Sequence, residues 1–469
     1  MSDSTSSSSC SWWRTVRNAV AGKQHDYTSG NLSQAVVLLA IPMVLETAME
    51  SLFSICDIYW VSKLGTNATA AIGLTESVLT LYYALAVGLS IAVTAMVSRR
   101  IGEKRPEAAA KVAAQTIYMG LFVGIATGIA CWFAAPHVLR WMGASAEIIK
   151  EGSGYARIIL STNVVILMLF LNNAIFRGAG DPALAMRALW LGNGINLVLD
   201  PMLIFGFGPI PAMGLTGAAI ASVTGRSVAV LYQIYQLRRG TGQVRLVGTA
   251  LKRDWAIIRR LVRVSVGGIA QMAVATSSWV IMMRYMAKFG SDALAGYTIG
   301  IRIVIFTILP SWGLSNAAAT LVGQHLGAKL PDRAARAVWI TGCYNMAFMM
   351  GVTINFVLFG DVFVGFFSKD PEVIAIGGQC LRVFSYGYLL YGWGMVMTQA
   401  FNGAGDTTTP TWINLIAFWI FQLPFAWWLA FSQGHGPNGI FWAVIGADTL
   451  LTVMAFIMFM RGTWKTRVV

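Results

Sequence analysis

The stretches Phe176-Arg-Gly-Ala-Gly-Asp181 and Phe401-Asn-Gly-Ala-Gly-Asp406 are nearly the same hexapeptide, and they lie 225 positions apart in a chain of 469 residues. The same offset carries Val97, Gly102, Lys104 and Pro106 onto Val322, Gly327, Lys329 and Pro331. It also carries Gly65 onto Gly290 and Ala109-Ala110 onto Ala334-Ala335. A register that holds without drift means two halves of equal length and equal topology.

Composition places those halves in a bilayer. Hydrophobic residues make up 56% of the chain and charged residues only 12%, with a mean hydropathy of +0.64, against about 25% charged in ordinary globular domains. Apolar runs of spanning length fall near 34–60, 68–98, 112–134, 154–176, 187–207, 213–237, 263–286, 293–322, 336–358, 375–400, 411–431 and 439–460. The expected fold is therefore an all-α polytopic membrane protein of twelve transmembrane helices. An even number of spans per half makes the two six-helix repeats parallel rather than inverted.

Lys and Arg set the orientation. Of 34 basic residues, 24 fall in the amino-terminal tail, the even-to-odd loops and the carboxyl-terminal tail, so those segments and both termini are expected in the cytoplasm. The division that follows is a Ser-rich tail at 1–30, a first lobe at 31–238, a basic linker at 239–262, a second lobe at 263–460 and a short tail at 461–469. The Arg238 to Arg263 stretch holds eight basic residues against one acid, Asp254. Beside anionic lipid this reads as linker and anchor, not as a nucleic-acid surface. The tail has no apolar run before the first span, as a cleaved secretory signal would require. The five cysteines, Cys10, Cys56, Cys131, Cys343 and Cys380, have neither disulfide-frame nor zinc spacing.

No Walker A loop, His-Glu-x-x-His or Gly-x-Ser-x-Gly occurs, and there is no soluble catalytic domain. Short loops, twelve spans and no nucleotide site point to a solute moved on an ion gradient and not to an enzyme. An intramembrane enzyme, a channel and a non-transporting scaffold stand as alternatives. The duplicated hexapeptides read as hairpins: Gly178 and Gly180 end one helix, Asp181 caps the next and Pro182 opens it. Pro106 and Pro331 are likewise expected to start spans three and nine.

Acids inside spans carry the functional signal, because a carboxylate at bilayer depth is costly. In span one, Glu46 and Glu50 lie at about 20° on either side of Asp57, so all three share a face. In span five, Asn193, Asn196 and Asp200 follow an i, i+3, i+7 spacing, again one face. Both spans run outward and bring Asp57 and Asp200 to similar depth, where a shared site would bind and release a cation or proton. The offset pairs Glu46 with Gln271, Glu50 with Ala275, Asp57 with Met282, Asn196 with Phe421 and Asp200 with Phe425. The second half is thus expected to lack the acids. It would offer an aromatic wall instead, with Trp412, Trp419, Trp427 and Trp428 either lining it or forming an interfacial belt.

These residues resemble the multidrug and toxic compound extrusion (MATE) transporters, and more closely their DinF-like branch. The match runs from about residue 30 to 460. It rests on Ile41-Pro42, Asp57-Ile-Tyr-Trp-Val-Ser-Lys-Leu-Gly65, Arg99-Arg100-Ile-Gly102, Tyr155-Ala-Arg157, Arg177-Gly-x-Gly-Asp181 and Gly192-x-Gly-x-Asn196-x-Val-Leu-Asp200-Pro201. The resemblance implies two lobes forming a V around a central cavity. It implies alternating access, and coupling acids at Asp57 and Asp200 supported by Tyr155, Asn173 and Asn196. Ser222 stands where the branch has a Thr. It further implies a monomer in the plasma (inner) membrane that exchanges protons for amphipathic or cationic drug-like compounds, with no bound cofactor or metal. Glu46 and Glu50 depart from the branch and leave sodium open as the coupling ion. Pro42, one turn before Glu46, is a candidate bending point. The nearest alternative is a flippase for a phospholipid or lipid-linked saccharide, which would want a more basic cavity than Arg226, Arg284 and Arg302 supply.

Overall fold

The structure, a computed structural model, describes residues 5–22, 25–240 and 242–467. Residues 1–4 and 23–24 of the amino-terminal tail, 241 of the linker and 468–469 of the carboxyl-terminal tail lie outside the described residues. Among the described residues, secondary structure is helical, with one isolated bridge between Phe207 and Ile210.

A helix α1, Thr5–Ala21, precedes the spans, where the sequence suggested only a polar tail. It is tied to the first half by Arg187, whose guanidinium donates to Val20 O at 2.9 Å. The first six spans are α2 (Leu32–Ser62), α3 (Thr66–Gly102), α4 (Pro106–Trp141), the pair α5 (Ala146–Ser161) and α6 (Asn163–Ala179), α7 (Pro182–Phe205) and α8 (Gly214–Arg239). The second six are α9 (Trp255–Ala287), α10 (Ser291–Gly327), α11 (Pro331–Gly365), α12 (Pro371–Gly403), a composite eleventh span from Thr408 to Ser432, and α15 (Pro437–Arg461). Among the described residues, eleven helices are long and apolar enough to cross a bilayer, and the bent pair counted as one span makes the twelfth.

Their ends follow local chemistry. Asn31, Ser145, Asp254 and Asp370 each accept a hydrogen bond from a backbone N–H of the first turn of α2, α5, α9 and α12, satisfying donors the helix leaves free. Pro106, Pro182, Pro331, Pro371 and Pro437 occupy first positions, where the missing N–H costs nothing. The fourth span bends by 41° between α5 and α6. At the break Thr162 donates its hydroxyl to Ile158 O at 2.7 Å, which competes with the helical ladder. The eleventh span comprises α13 (Thr408–Asn414), a π-helical segment Leu415–Gln422, α14 (Leu423–Trp427) and a second π-helical segment Trp428–Ser432.

The duplication is visible as geometry. A Cβ on Gly268 would lie 2.6 Å from Gly88 O, and one on Gly313 would lie 2.7 Å from Met43 O. The 225-residue offset converts the first contact into the second, because Met43 corresponds to Gly268 and Gly88 to Gly313. Two halves that exchange contacts in this reciprocal way are related by a pseudo-two-fold axis. On that axis equivalent glycines meet: a Cβ on Gly327 would lie 3.0 Å from Gly102 Cα. The loops beside them match as well, with Lys104 and Lys329 at φ of 57° and 59°, backbone that side chains rarely adopt. Gly65 and Gly290 precede α3 and α10 at φ of 107° and 104°.

The two hexapeptides diverge in use. Gly180 ends α6 in the left-handed conformation expected of it, but the Asp181 side chain makes no capping bond to α7. It accepts instead from Gln243 N at 2.8 Å and anchors the linker. Burial pushes the Asp181 carboxyl up to about 6, opposed by that backbone N–H. Its counterpart Asp406 does bond forward, to Thr409 Oγ1 at 2.8 Å, and pairs with Arg467 at 3.5 Å. The linker is further held across α4, where Gln115 Nε2 donates to Lys252 O at 2.8 Å and Tyr118 Oη to Leu251 O at 2.8 Å.

Candidate functional site

Two polar groups form inside the first half, and each is assembled by helix contacts that glycine makes possible. A Cβ on Gly192 of α7 would lie 2.8 Å from Gly225 O, and one on Gly225 of α8 would lie 2.5 Å from Gly192 O. Only bare backbone at both positions lets α7 and α8 come this close. One turn along, Asn196 therefore reaches across: its Nδ2 donates to Ser222 Oγ at 3.2 Å and to Asp200 Oδ1 on its own helix at 3.2 Å.

Asp200 is fully buried, and its Oδ2 has no hydrogen-bond partner among the described residues. Asp57 of α2 lies within electrostatic reach of Asp200, of Arg226 on α8 and of Glu76 on α3. Tyr155 of α5 is buried against the same set. Five of the expected residues, Asp57, Asp200, Asn196, Tyr155 and Ser222, are thus brought together. Pro201 follows Asp200 inside α7 and, lacking an N–H, leaves the Leu197 carbonyl without its helical donor.

Asn173 does not bond into that group. Its Nδ2 donates to Glu46 Oε1 at 2.9 Å, and its Oδ1 accepts from Gln233 Nε2 of α8 at 2.6 Å. Arg177 closes the inner group with an ion pair to Glu46 at 3.4 Å. The physical reason is position: Asn173 sits one turn before Arg177 near the end of α6, level with Glu46 rather than Asp57. Glu46 is 5% exposed, and a carboxylate so buried is held by a charged partner and a hydrogen bond together. Glu50 faces the cavity beyond it with Tyr83, Arg226, and Leu309 and Trp312 from the second half. An adjoining cavity shares Phe170, Arg177 and Trp312, and continues along Asn316, Gln399 and Asn402 of α10 and α12. Arg226, whose guanidinium also sits over the Phe53 ring at 5.9 Å, lies between Glu50 and Asp57 electrostatically and joins the two groups.

Several members escaped sequence reading. Glu76 is the only acid of the second span, and the same cost argument that singled out Asp57 applies to it. Gln233 carried no signal, because a glutamine in a span gains meaning only from the partner it meets.

One expectation about the second half is corrected. It does hold an intramembrane acid, Asp448 of α15, which lines a cavity with Tyr297, Tyr388 and Tyr391. The 225-residue offset pairs Asp448 with Val223, so no acid of the first half points to it. The wall of that cavity is not Trp412, Trp419, Trp427 and Trp428. All four are exposed on the helices rather than packed into that cavity.

Among the described residues no group of three or more His, Cys, Asp and Glu side chains is arranged to hold a metal ion. The two halves meet at the end that carries the basic loops: Thr320 Oγ1 donates to Arg177 O at 3.1 Å and Gln324 Nε2 to Gly178 O at 3.2 Å.

The MatE family model matches residues 42–202 and 269–428, one segment in each half. The chain is 24% identical over 446 residues to the "Probable multidrug resistance protein NorM" of Thermotoga maritima, covering 93% of this chain and 94% of that one. It is 23% identical over 438 residues to the FAD transporter of Shewanella oneidensis, covering 93% and 96%. Among solved structures it superposes on a MOP superfamily transporter from Pyrococcus furiosus, described by the reverse polarity of its binding pocket, with a TM-score of 0.88, 25% identity and coverage of 94% and 98%.

Proposed function

The chain belongs to the MatE family, and on that premise we propose that it is a multidrug exporter of the plasma membrane that exchanges protons for amphipathic or cationic compounds. The observation that carries this reading is the buried Asp200–Asn196–Ser222 chain beside Asp57 and Arg226, adjoining a cavity that both halves line. A carboxylate that alternates between a dry interior and water alternates in proton affinity. A single cavity wall can therefore hold a proton in one state and release it in the other. Arg226 links this event to the cavity, because any change of charge at Asp57 changes what the guanidinium pairs with.

Closure at the basic-loop end, taken with cytoplasmic placement of those loops, is what an outward-facing state requires. Proton entry would then favour reorientation and inward proton flow would drive export. The mechanism is proton antiport of the DinF-like kind, with sodium as the competing ion. The test is efflux of a fluorescent cationic dye from vesicles under separately imposed pH and sodium gradients, with wild type compared to Asp57→Asn plus Asp200→Asn. Efflux that collapses with the pH gradient and in the double variant supports the reading; full pH-driven efflux by the double variant defeats it.

A second reading, export of an anionic compound, is favoured by Arg226, which lies in the cavity wall, and by a relative named as a FAD transporter. Competition of flavin dinucleotide, but not of cationic dye, for the purified protein would select it.

A further inference from the structure

A pocket of about 320 Å³ lies outside the cavities described above, between the end of α3, the start of α4 and the start of α9. Four cations line it: Arg100, Arg105 and Lys111 from the first half and Arg260 from the second. Arg100 pairs with Glu103 at 2.8 Å, while Arg105, Lys111 and Arg260 are exposed and form no ion pair among the described residues. The floor is apolar, formed by Met96, Val112 and Ile257. Repeat symmetry does not account for the cluster, because the 225-residue offset pairs Arg100, Arg105 and Arg260 with His325, Leu330 and Ala35.

The same helices set this pocket at the membrane surface. Trp255 opens α9 and is 72% exposed, as an interfacial tryptophan is. Arg260 follows about 7.5 Å further along the helix axis. Val262 and Val266 lie seven and eleven residues beyond Trp255, so the three share one face, and both valines are exposed. On α4, Lys111, Phe122 and Ile125 share a face by the same spacing, and Phe122 and Ile125 are exposed. An exposed apolar stripe on a spanning helix faces acyl chains. Each helix therefore carries a cation at headgroup depth and lipid-facing side chains beyond it.

We propose that this pocket binds the phosphate headgroup of an anionic phospholipid, drawn from the leaflet that the basic loops face. Guanidinium groups meet phosphate oxygens two at a time and an ammonium meets them as a point charge; the pocket supplies both. Basic pockets between spanning helices suit anionic headgroups for this reason, and the apolar floor suits the glycerol carbons that follow the phosphate. A soluble phosphate ester would meet the same cations, but the acyl-facing stripes beside them select the lipid. The headgroup would touch both halves at once. The site depends on membrane placement alone, and neither the exported compound nor the coupling ion enters it.

The probe is dioleoylphosphatidylglycerol, added to the purified full-length protein in detergent and counted as bound adducts by native mass spectrometry. Dioleoylphosphatidylcholine and glycerol 3-phosphate are the comparisons. Each Lys or Arg near an anionic surface is worth about a fivefold change in affinity. Arg105→Gln plus Arg260→Gln should therefore weaken phosphatidylglycerol binding about 30-fold. Lys329→Gln plus Arg336→Gln, an equal loss of charge in the repeat-equivalent loop, should leave it unchanged. A second measurement uses wild type alone: phosphatidylglycerol should slow acetylation of Lys111, mapped by mass spectrometry, and leave Lys329 unprotected. Equal binding of phosphatidylcholine, equal loss in the two double variants, no protection of Lys111, or equal affinity for glycerol 3-phosphate would each overturn the proposal.

Discussion

Gly102→Ala tests the pseudo-two-fold contact most directly. A Cβ on Gly102 would lie 2.6 Å from the carbonyl carbon of Gln324 and 2.7 Å from its Cα, whereas carbon atoms in contact stay about 3.5–4.0 Å apart. The intruding methyl faces helix backbone, which has no rotamer to change. The ends of α3 and α10 must therefore separate by roughly 1 Å. Overpacking of this kind costs about 1–3 kcal/mol, and the cost falls only on the state in which these ends touch. A difference of that size shifts a two-state equilibrium by about 5- to 150-fold toward the state with the basic-loop end open. Spin labels at Glu107 on α4 and Arg336 on α11, both exposed and on opposite halves, would read the change by double electron–electron resonance in a cysteine-free background. Wild type should give a short distance, and Gly102→Ala a second, longer population. A distance distribution identical to wild type in a folded variant would refute the idea that this glycine pair permits closure.

Two further outcomes follow from the buried networks. Gln233→Leu removes the donor to Asn173 Oδ1 while keeping the side chain's bulk, so it should destabilise the protein by about 1–3 kcal/mol, measured as a lowered thermal midpoint in detergent; an unchanged midpoint would mean that the 2.6 Å bond contributes nothing net. Asp181, at the α6–α7 hairpin, is pushed up to about 6 from an ordinary value of 3.8. A raised carboxyl contributes stability that is present below the unfolded value and is lost as pH rises through the folded one, here between about pH 4 and 6, on the order of 3 kcal/mol. Asp181→Asn should flatten the stability profile across that window, and a slope equal to wild type would show that the Gln243 N–H already compensates the buried charge.

How much was legible in the chain differs between fold and site. Glu46 shows the limit well. Its placement on one face with Glu50 and Asp57 followed from helical spacing, but no spacing rule connects residue 46 to 173 and 177, so its ion pair could not be read. Ser222 was placed beside Asn196 only by resemblance, and the structure supplies the cause in the Gly192–Gly225 approach. Asp448 is a lone acid in an apolar run, and its repeat partner is Val223, so the duplication gives it no signal.

The sequence by itself determined the number of spans, the duplication, the parallel relation of the halves and the residues that start and end most helices. Those are consequences of hydropathy, period and cap chemistry, which act over a few neighbouring residues. Tertiary structure alone decided which polar side chains share a site. It separated Asn173 from Asp200, gave Arg226 its place between Glu50 and Asp57, and brought Tyr388, Gln422 and Asp448 around one cavity. In a bilayer a buried polar atom must find its partner within a few ångströms on another helix. That partner is fixed by how helices pack, so it is not written in the spacing of any one of them.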